Sequence, residues 1–193
     1  MDNRRLKNVI ECLLFVSSKP VTVAKFKKVF KESKVNLDNP EKEIKETLKN
    51  LSKEYDIEGK PIFIQKVAGG WRMATREEYG DWVKKLYSKE TTYNLSKAAL
   101  ESLAIVAYRQ PVTTKEVEAI RGVSCGAVLR GLLEKKLIKI SGRKEAIGRP
   151  IIYKTTRKFL EYFGLESLSD LPPLEQMGIE ENIEDIINEE VAQ

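Results

Sequence analysis

Not one histidine stands in this chain of 193 residues, and it has only two cysteines and two tryptophans. Without an imidazole there is no Ser-His-Asp or Cys-His nucleophilic site, no His-ligated zinc and no histidine proton shuttle. Cys12 and Cys125 lie far apart in the sequence with no CxxC spacing, which leaves neither a metal pair nor a redox pair; both are expected as buried small hydrophobes. A long apolar run is missing as well. The charged stretch Asp2–Lys7 precedes the segment Val9–Val16, which Glu11 interrupts, so neither a signal peptide nor a membrane anchor is expected and the chain reads as cytoplasmic. What is abundant is charge: 34 Lys+Arg against 29 Asp+Glu, for a formal +5, beside 41% hydrophobic residues that suffice for genuine cores. The length allows one ordinary domain or two small ones.

A repeat favours two. Lys19-Pro20-Val21-Thr22 returns as Gln110-Pro111-Val112-Thr113, 91 residues later. Each copy follows an apolar helical run, Val9, Ile10, Leu13, Leu14 and Val16 in the first and Leu100, Leu103, Ala104, Ile105, Val106 and Ala107 in the second. Each precedes a second amphipathic run that the threonine can cap. A third helix follows. In the first copy Asn39-Pro40 supplies a cap and an N1 proline before Ile44, Leu48, Leu51 and Tyr55; in the second, Gly122 ends the preceding helix, Ser124 can cap, and Val128, Leu129, Leu132 and Leu133 form the stripe. Both copies then run into paired β-like segments: Pro61–Val67 and Trp71–Thr75 around a Gly69-Gly70 turn, and Leu137–Ile140 and Pro150–Thr155 around a glycine-bounded basic loop. Thr75-Arg76 and Thr156-Arg157 open aromatic-bearing helices after them.

Three helices and a hairpin, twice, predict an α+β, mainly helical protein of two tandem winged-helix domains, residues 1–90 and 91–174, joined near Ser88–Leu95. Residues 175–193 form a tail with seven acidic residues and no basic one, and Ile179, Ile183, Ile186 and Ile187 fall at helical spacing. It reads either as a disordered solubilising tail or as an amphipathic helix for a partner. The body without it carries +12.

A winged helix raises the question of DNA. The third helix of copy one carries Glu41, Glu43, Glu46 and Glu54, charges that would face phosphates at close range. Its counterpart offers only Arg130 as a base-reading fork, and Gly126 and Gly131 weaken it by about 1 kcal/mol each relative to alanine; the glycines are expected to serve tight packing inside the domain or close approach by a neighbour. The second hairpin is basic, with Lys139, Arg143, Lys144, Arg149, Lys154, Arg157 and Lys158 against the single acid Glu145. An acidic protein segment, DNA phosphates or solvent alone could face it. Arg143 and Arg149 flank the loop and are expected to point both guanidiniums outward. The helix Ala98–Ala107 is apolar at eight of its ten positions, so part of it should meet a neighbour, with Tyr108 and Arg109 at its end as interface candidates.

From Asn94 onward the strings Leu95-Ser96-Lys97-Ala98-Ala99-Leu100-Glu101, Ala107-Tyr108-Arg109-Gln110-Pro111-Val112-Thr113, Glu118-Ala119-Ile120-Arg121-Gly122-Val123, Gly148-Arg149-Pro150 and Asp170-Leu171-Pro172-Pro173-Leu174 resemble segregation and condensation protein B. The first half is similar more loosely, through Ile10-Glu11, Leu13-Leu14-Phe15-Val16 and Gly69-Gly70-Trp71-Arg72. The resemblance implies a subunit without catalytic, metal or cofactor residues in the bacterial SMC condensin-like complex. It would act in chromosome condensation and partition at the nucleoid, as a homodimer that binds the kleisin ScpA and reaches SMC through it. DNA would be touched indirectly or weakly. A winged-helix transcriptional regulator is the alternative. The partner-binding candidates are Tyr108, Arg109, Arg130, Arg143, Lys144 and Arg149.

Overall fold

The computed structural model describes residues 2–87 and 95–173. The expected junction near Ser88–Leu95, save Leu95 itself, and the acidic tail lie outside the described residues. The chain forms two compact units, Met1–Thr91 with Gly164–Ser167, and Thr92–Phe163 with Leu168–Gln193.

The first unit begins with α1 (Asn3–Val16), α2 (Val23–Glu32) and α3 (Pro40–Ile57). Their starts follow local chemistry. Asp2, Thr22 and Asn39 each accept a backbone N–H of the first turn, Pro40 occupies the first turn of α3, and Glu43 reaches back to the Asn39 N–H at 2.7 Å. One stripe of each helix turns inward: Leu6, Ile10 and Leu14 from α1, Phe26 and Phe30 from α2, and Ile44, Leu48, Leu51 and Tyr55 from α3 pack into a single core with Ile64. At 100° per residue Cys12 falls on the far side of the α1 stripe, and it is exposed rather than buried, as are Phe15 and Val16. An interrupted apolar run places its end outside the core because α1 is needed on one side only. Tyr55 buries its ring and donates its hydroxyl to Glu11; burial first and the Glu11 carboxylate second push the phenol up to about 12.

β1 (Ile62–Val67) and β2 (Gly70–Thr75) form the antiparallel hairpin. Its two-residue turn is Ala68-Gly69, both at positive φ (49° and 67°), one residue earlier than the glycine pair suggests, and Gly70 already pairs with Val67. Gly70 has another duty. A Cβ there would come within 3.1 Å of Pro20 and of the Val21 carbonyl carbon, because Val21 pairs with Trp71 through two backbone hydrogen bonds of 2.8 and 2.9 Å. A 3-10 turn, Glu77–Tyr79, leads into α4 (Gly80–Leu86).

The second unit repeats the order: α5 (Lys97–Arg109), β3 (Val112–Thr113), α6 (Thr114–Arg121), α7 (Gly126–Glu134), β4 (Ile138–Arg143), β5 (Ile151–Thr155) and α8 (Arg157–Phe163), with a 3-10 turn at Leu168–Asp170. Its core joins Leu103, Val106 and Ala107 of α5 to Val117, Leu129, Leu132, Leu137, Ile138, Tyr153 and Phe159. The sheet order is β3-β5-β4, and Val112 pairs with Tyr153 as Val21 pairs with Trp71. The Pro-Val-Thr repeat therefore marks a short strand that lies against the second hairpin strand and then caps the next helix. The Thr-Arg repeat has a shared purpose carried by different atoms. Arg76 donates to Asp56 (2.9 Å) in the last turn of α3 and to the Lys60 carbonyl (2.7 Å) just beyond it, and Thr156 donates to the Lys136 carbonyl (2.6 Å) beyond α7, so each fastens the end of a hairpin to the end of a third helix.

Thr113 and Glu116 form a capping box at α6: the Glu116 carboxylate accepts the Thr113 N–H (2.6 Å) and hydroxyl (2.9 Å), and Thr113 accepts the Glu116 N–H. Lys144 completes the cluster, donating to Glu116 at 2.6 Å. Burial pulls the Glu116 carboxyl up, but Lys144 and the Thr113 donors together outweigh it and hold it below its ordinary value. The start of α7 departs from expectation. Its N-cap is Cys125 without a side-chain cap bond, and the Glu118 carboxylate, reaching from α6, accepts both the Ser124 hydroxyl (3.0 Å) and the Cys125 N–H (2.8 Å). A charged acceptor one helix back competes successfully with a neutral serine that is adjacent in sequence.

Two glycines should answer oppositely to alanine. Gly70→Ala must displace paired backbone and is expected to cost the first unit about 1–3 kcal/mol, whereas Gly131→Ala, in open space within α7, should stabilise the second unit by about 0.5–1 kcal/mol; urea melts of the two variants check both signs. Because the folded Glu116 pKa is depressed, its contribution is complete above the ordinary glutamate pKa and is lost as pH falls through the lower folded value. Glu116→Gln should accordingly flatten the acid limb of the stability profile measured by circular dichroism.

Candidate partner-binding surface

The third helix that would read DNA in the first unit spends its acids on its own surface. Glu41 pairs with Lys45 (2.7 Å) and Lys27 (3.6 Å), Glu46 lies 3.9 Å from Lys42, and Glu54 pairs with Lys7. The Lys45 hydrogen bond, with its charge and that of Lys27, holds Glu41 below the usual carboxylate range. The face is an alternation of signs, a poor match to a row of phosphates.

In the second unit Gly126, Ala127 and Arg130 are exposed on α7, and Val123 just before it is 55% exposed. A Cβ at Gly126 or Gly131 would touch nothing, which corrects the expectation of tight packing inside the domain: these glycines leave a shallow, open helix face. Gly126 also sits at the first position of α7 and interrupts nothing.

Arg143 ends β4, and Lys144 and Arg149 lie in the loop that joins it to β5. The hairpin is irregular here, with a bulge between Ile140 and Gly142, and Gly142, Gly148 and Arg149 at φ of 142°, 80° and 41°. The outward presentation of both guanidiniums is revised for Arg143, whose Nη1 donates to the Arg149 carbonyl at 3.0 Å. Two backbone bonds of 2.9 Å, Lys144 N–H to Pro150 and Arg149 N–H to Ala146, close the loop further. Lys144 is tied at its base through Glu116, a partner 28 residues away that the sequence pattern did not single out. Arg149 stays at the surface with residues 141–148.

Tyr108 and Arg109 end α5. The Tyr108 hydroxyl donates to the Pro172 carbonyl at 2.7 Å, so its polar tip holds the segment that follows the 3-10 turn; Arg109 is half-buried and complements the helix C-terminus. Leu103 and Ala107 are buried, Ala104 is half-buried, and Leu100 is 44% exposed. Gln110, between helix and strand, accepts the Thr155 N–H (2.9 Å) and hydroxyl (3.0 Å) while donating to the Ala107 carbonyl. Burial pushes the Cys125 thiol up to about 11, with Glu118 adding to the shift, which makes it a packing group rather than a nucleophile. Among the described residues no three acidic or cysteine side chains are grouped to hold a metal ion, and no helix is long and apolar enough to cross a membrane.

The family model described as segregation and condensation complex subunit ScpB matches residues 8–174. The chain is similar to segregation and condensation protein B of Syntrophotalea carbinolica, at 42% identity over 176 residues, 91% of this chain and 85% of that protein. It is 43% identical over 180 residues to the protein of the same name from Desulforamulus reducens, covering 93% of this chain and 95% of that one. The crystal structure of ScpB from Mycobacterium tuberculosis is 36% identical and covers 86% of this chain and 98% of that chain, with a TM-score of 0.39. With the family match running through both helix-and-hairpin units, this chain belongs to the segregation and condensation protein B family, the ScpB subunits of the segregation and condensation complex.

Proposed function

We propose that the chain is a non-catalytic accessory subunit of the SMC–kleisin complex: two tandem winged helices, residues 1–90 and 91–174, that work as a homodimer, bind the kleisin ScpA, reach SMC through it and support chromosome condensation and partition at the nucleoid. Residues 175–193 act as an acidic appendage. Contact with DNA is indirect or weak. The observation that supports protein recognition over DNA reading is the acid content of α3, where Glu41, Glu43, Glu46 and Glu54 stand among the lysines and would oppose phosphates.

We place the kleisin site on the second unit, with the second hairpin supplying Arg143, Lys144 and Arg149, α7 supplying Arg130 on its open glycine-bearing face, and Tyr108 and Arg109 at the end of α5 as further candidates. Charge favours an acidic segment at the loop. Within the loop Arg149 is the residue whose guanidinium is best able to fork onto a carboxylate, since Arg143 turns one N–H on the loop itself and Lys144 is engaged by Glu116.

Multi-angle light scattering at physiological salt should find a dimer whose mass rises on addition of the kleisin's central segment; a monomer indifferent to that segment but tight on duplex DNA would overturn the assignment. Arg149→Glu should weaken the kleisin complex by about 1–3 kcal/mol in titration calorimetry.

A further inference from the structure

The loop between β4 and β5 ends on an apolar side chain that nothing in its unit covers. Ile147 is 105% exposed at the tip, and Ile140 on the stem is 54% exposed. Around them stand Lys139, Arg143, Lys144 and Arg149. A surface isoleucine alone means little; here its setting is specific. The loop is held in one shape by the Arg143 bond to the Arg149 carbonyl, by the two backbone bonds Lys144 to Pro150 and Arg149 to Ala146, and by the Lys144–Glu116 contact at its base. Arg149 accepts a left-handed φ of 41° to complete it, a conformation that costs a non-glycine residue free energy. An ordered loop that displays an isoleucine loses little conformational entropy when that side chain is covered.

We infer that Ile147 is the apolar anchor of the second unit's hairpin, inserting between apolar side chains of an acidic protein segment while Arg149 pairs with its carboxylates. The inference rests on the kleisin reading above and names the residue that gives that site its selectivity: charge brings the segment to the loop, and Ile147 distinguishes an acidic stretch that offers an apolar pocket from one that does not. Duplex DNA fits the tip less well. A row of phosphates offers no apolar surface to cover Ile147, whereas a protein segment can carry apolar side chains beside its carboxylates.

The test uses the full chain and the central segment of the kleisin as probe, titrated at low and physiological salt, with a 30-base-pair duplex in parallel. Ile147→Ser, fully exposed in the free protein, should fold as the wild type does and bind the segment about 10- to 100-fold more weakly with an unchanged salt dependence. Ile147→Val should remain within a few-fold, and Arg149→Glu should weaken binding and flatten the salt dependence. Unchanged affinity in Ile147→Ser beside a weakened Arg149→Glu would overturn the anchor and leave the docking site standing. Unchanged affinity in both would overturn the site itself. Loss of duplex binding rather than segment binding in Ile147→Ser would also overturn the inference, by making the tip a DNA wedge.

Discussion

Everything in either unit is organised by one short pairing. A hairpin alone is marginal in water and three helices alone leave an open end. In each unit the residues just before the second helix lie against the second hairpin strand, Val21 on Trp71 and Val112 on Tyr153, so the sheet is closed on the helical core at the point where the next helix starts. Proline precedes the pair and threonine follows it, and the two flanks suit their places: proline withholds a donor where the strand has not yet begun, and threonine supplies an acceptor where the helix has. The close approach at Gly70 follows from the same pairing, since the incoming backbone occupies the volume a side chain would need.

The two units share this plan and differ in what they do with charge. On α3 acids and lysines neutralise one another along the helix, while the second hairpin collects cations on a loop whose bulge and glycines carry it beyond the core. The near balance of the whole composition hides that contrast. The modest +5 of the chain is +12 over residues 1–174 offset by the seven acids of residues 175–193, and within the body it is the second hairpin that gathers its cations on one loop.

Local signals in the sequence were readable where the physics is local. Caps at Thr22, Asn39 and Thr113, the left-handed Gly122, the stripes of α3 and the order of helices and strands depend on residues a few positions apart, and they form as the spacing predicts. The departures from local expectation share a cause. Helical rotation carries Cys12 away from its apolar neighbours, Glu118 from the preceding helix takes the cap beside Ser124, and the carbonyl partner of Arg143 belongs to a turn whose shape the sequence does not state. Glu116 and Lys144, 28 residues apart, are unremarkable in the chain and meet only once the sheet has closed. Candidate site residues were legible as types, a basic loop and an open helix face; which of them remain available to a partner depends on contacts of that longer range.

Thr113 stands at a junction where three kinds of structure begin. It is a strand residue paired with Ile152, the N-cap of α6, and a donor to the carboxylate that also holds Lys144. The hairpin loop is therefore no flap hung on the domain by its two ends. Releasing it breaks an ion pair whose acid is also capping a helix, and fraying that cap loosens the strand that closes the core. Loop, helix start and sheet edge are thus tied through a single carboxylate, so that a pull on Lys144 bears on the first turn of α6 and on the strand that closes the core.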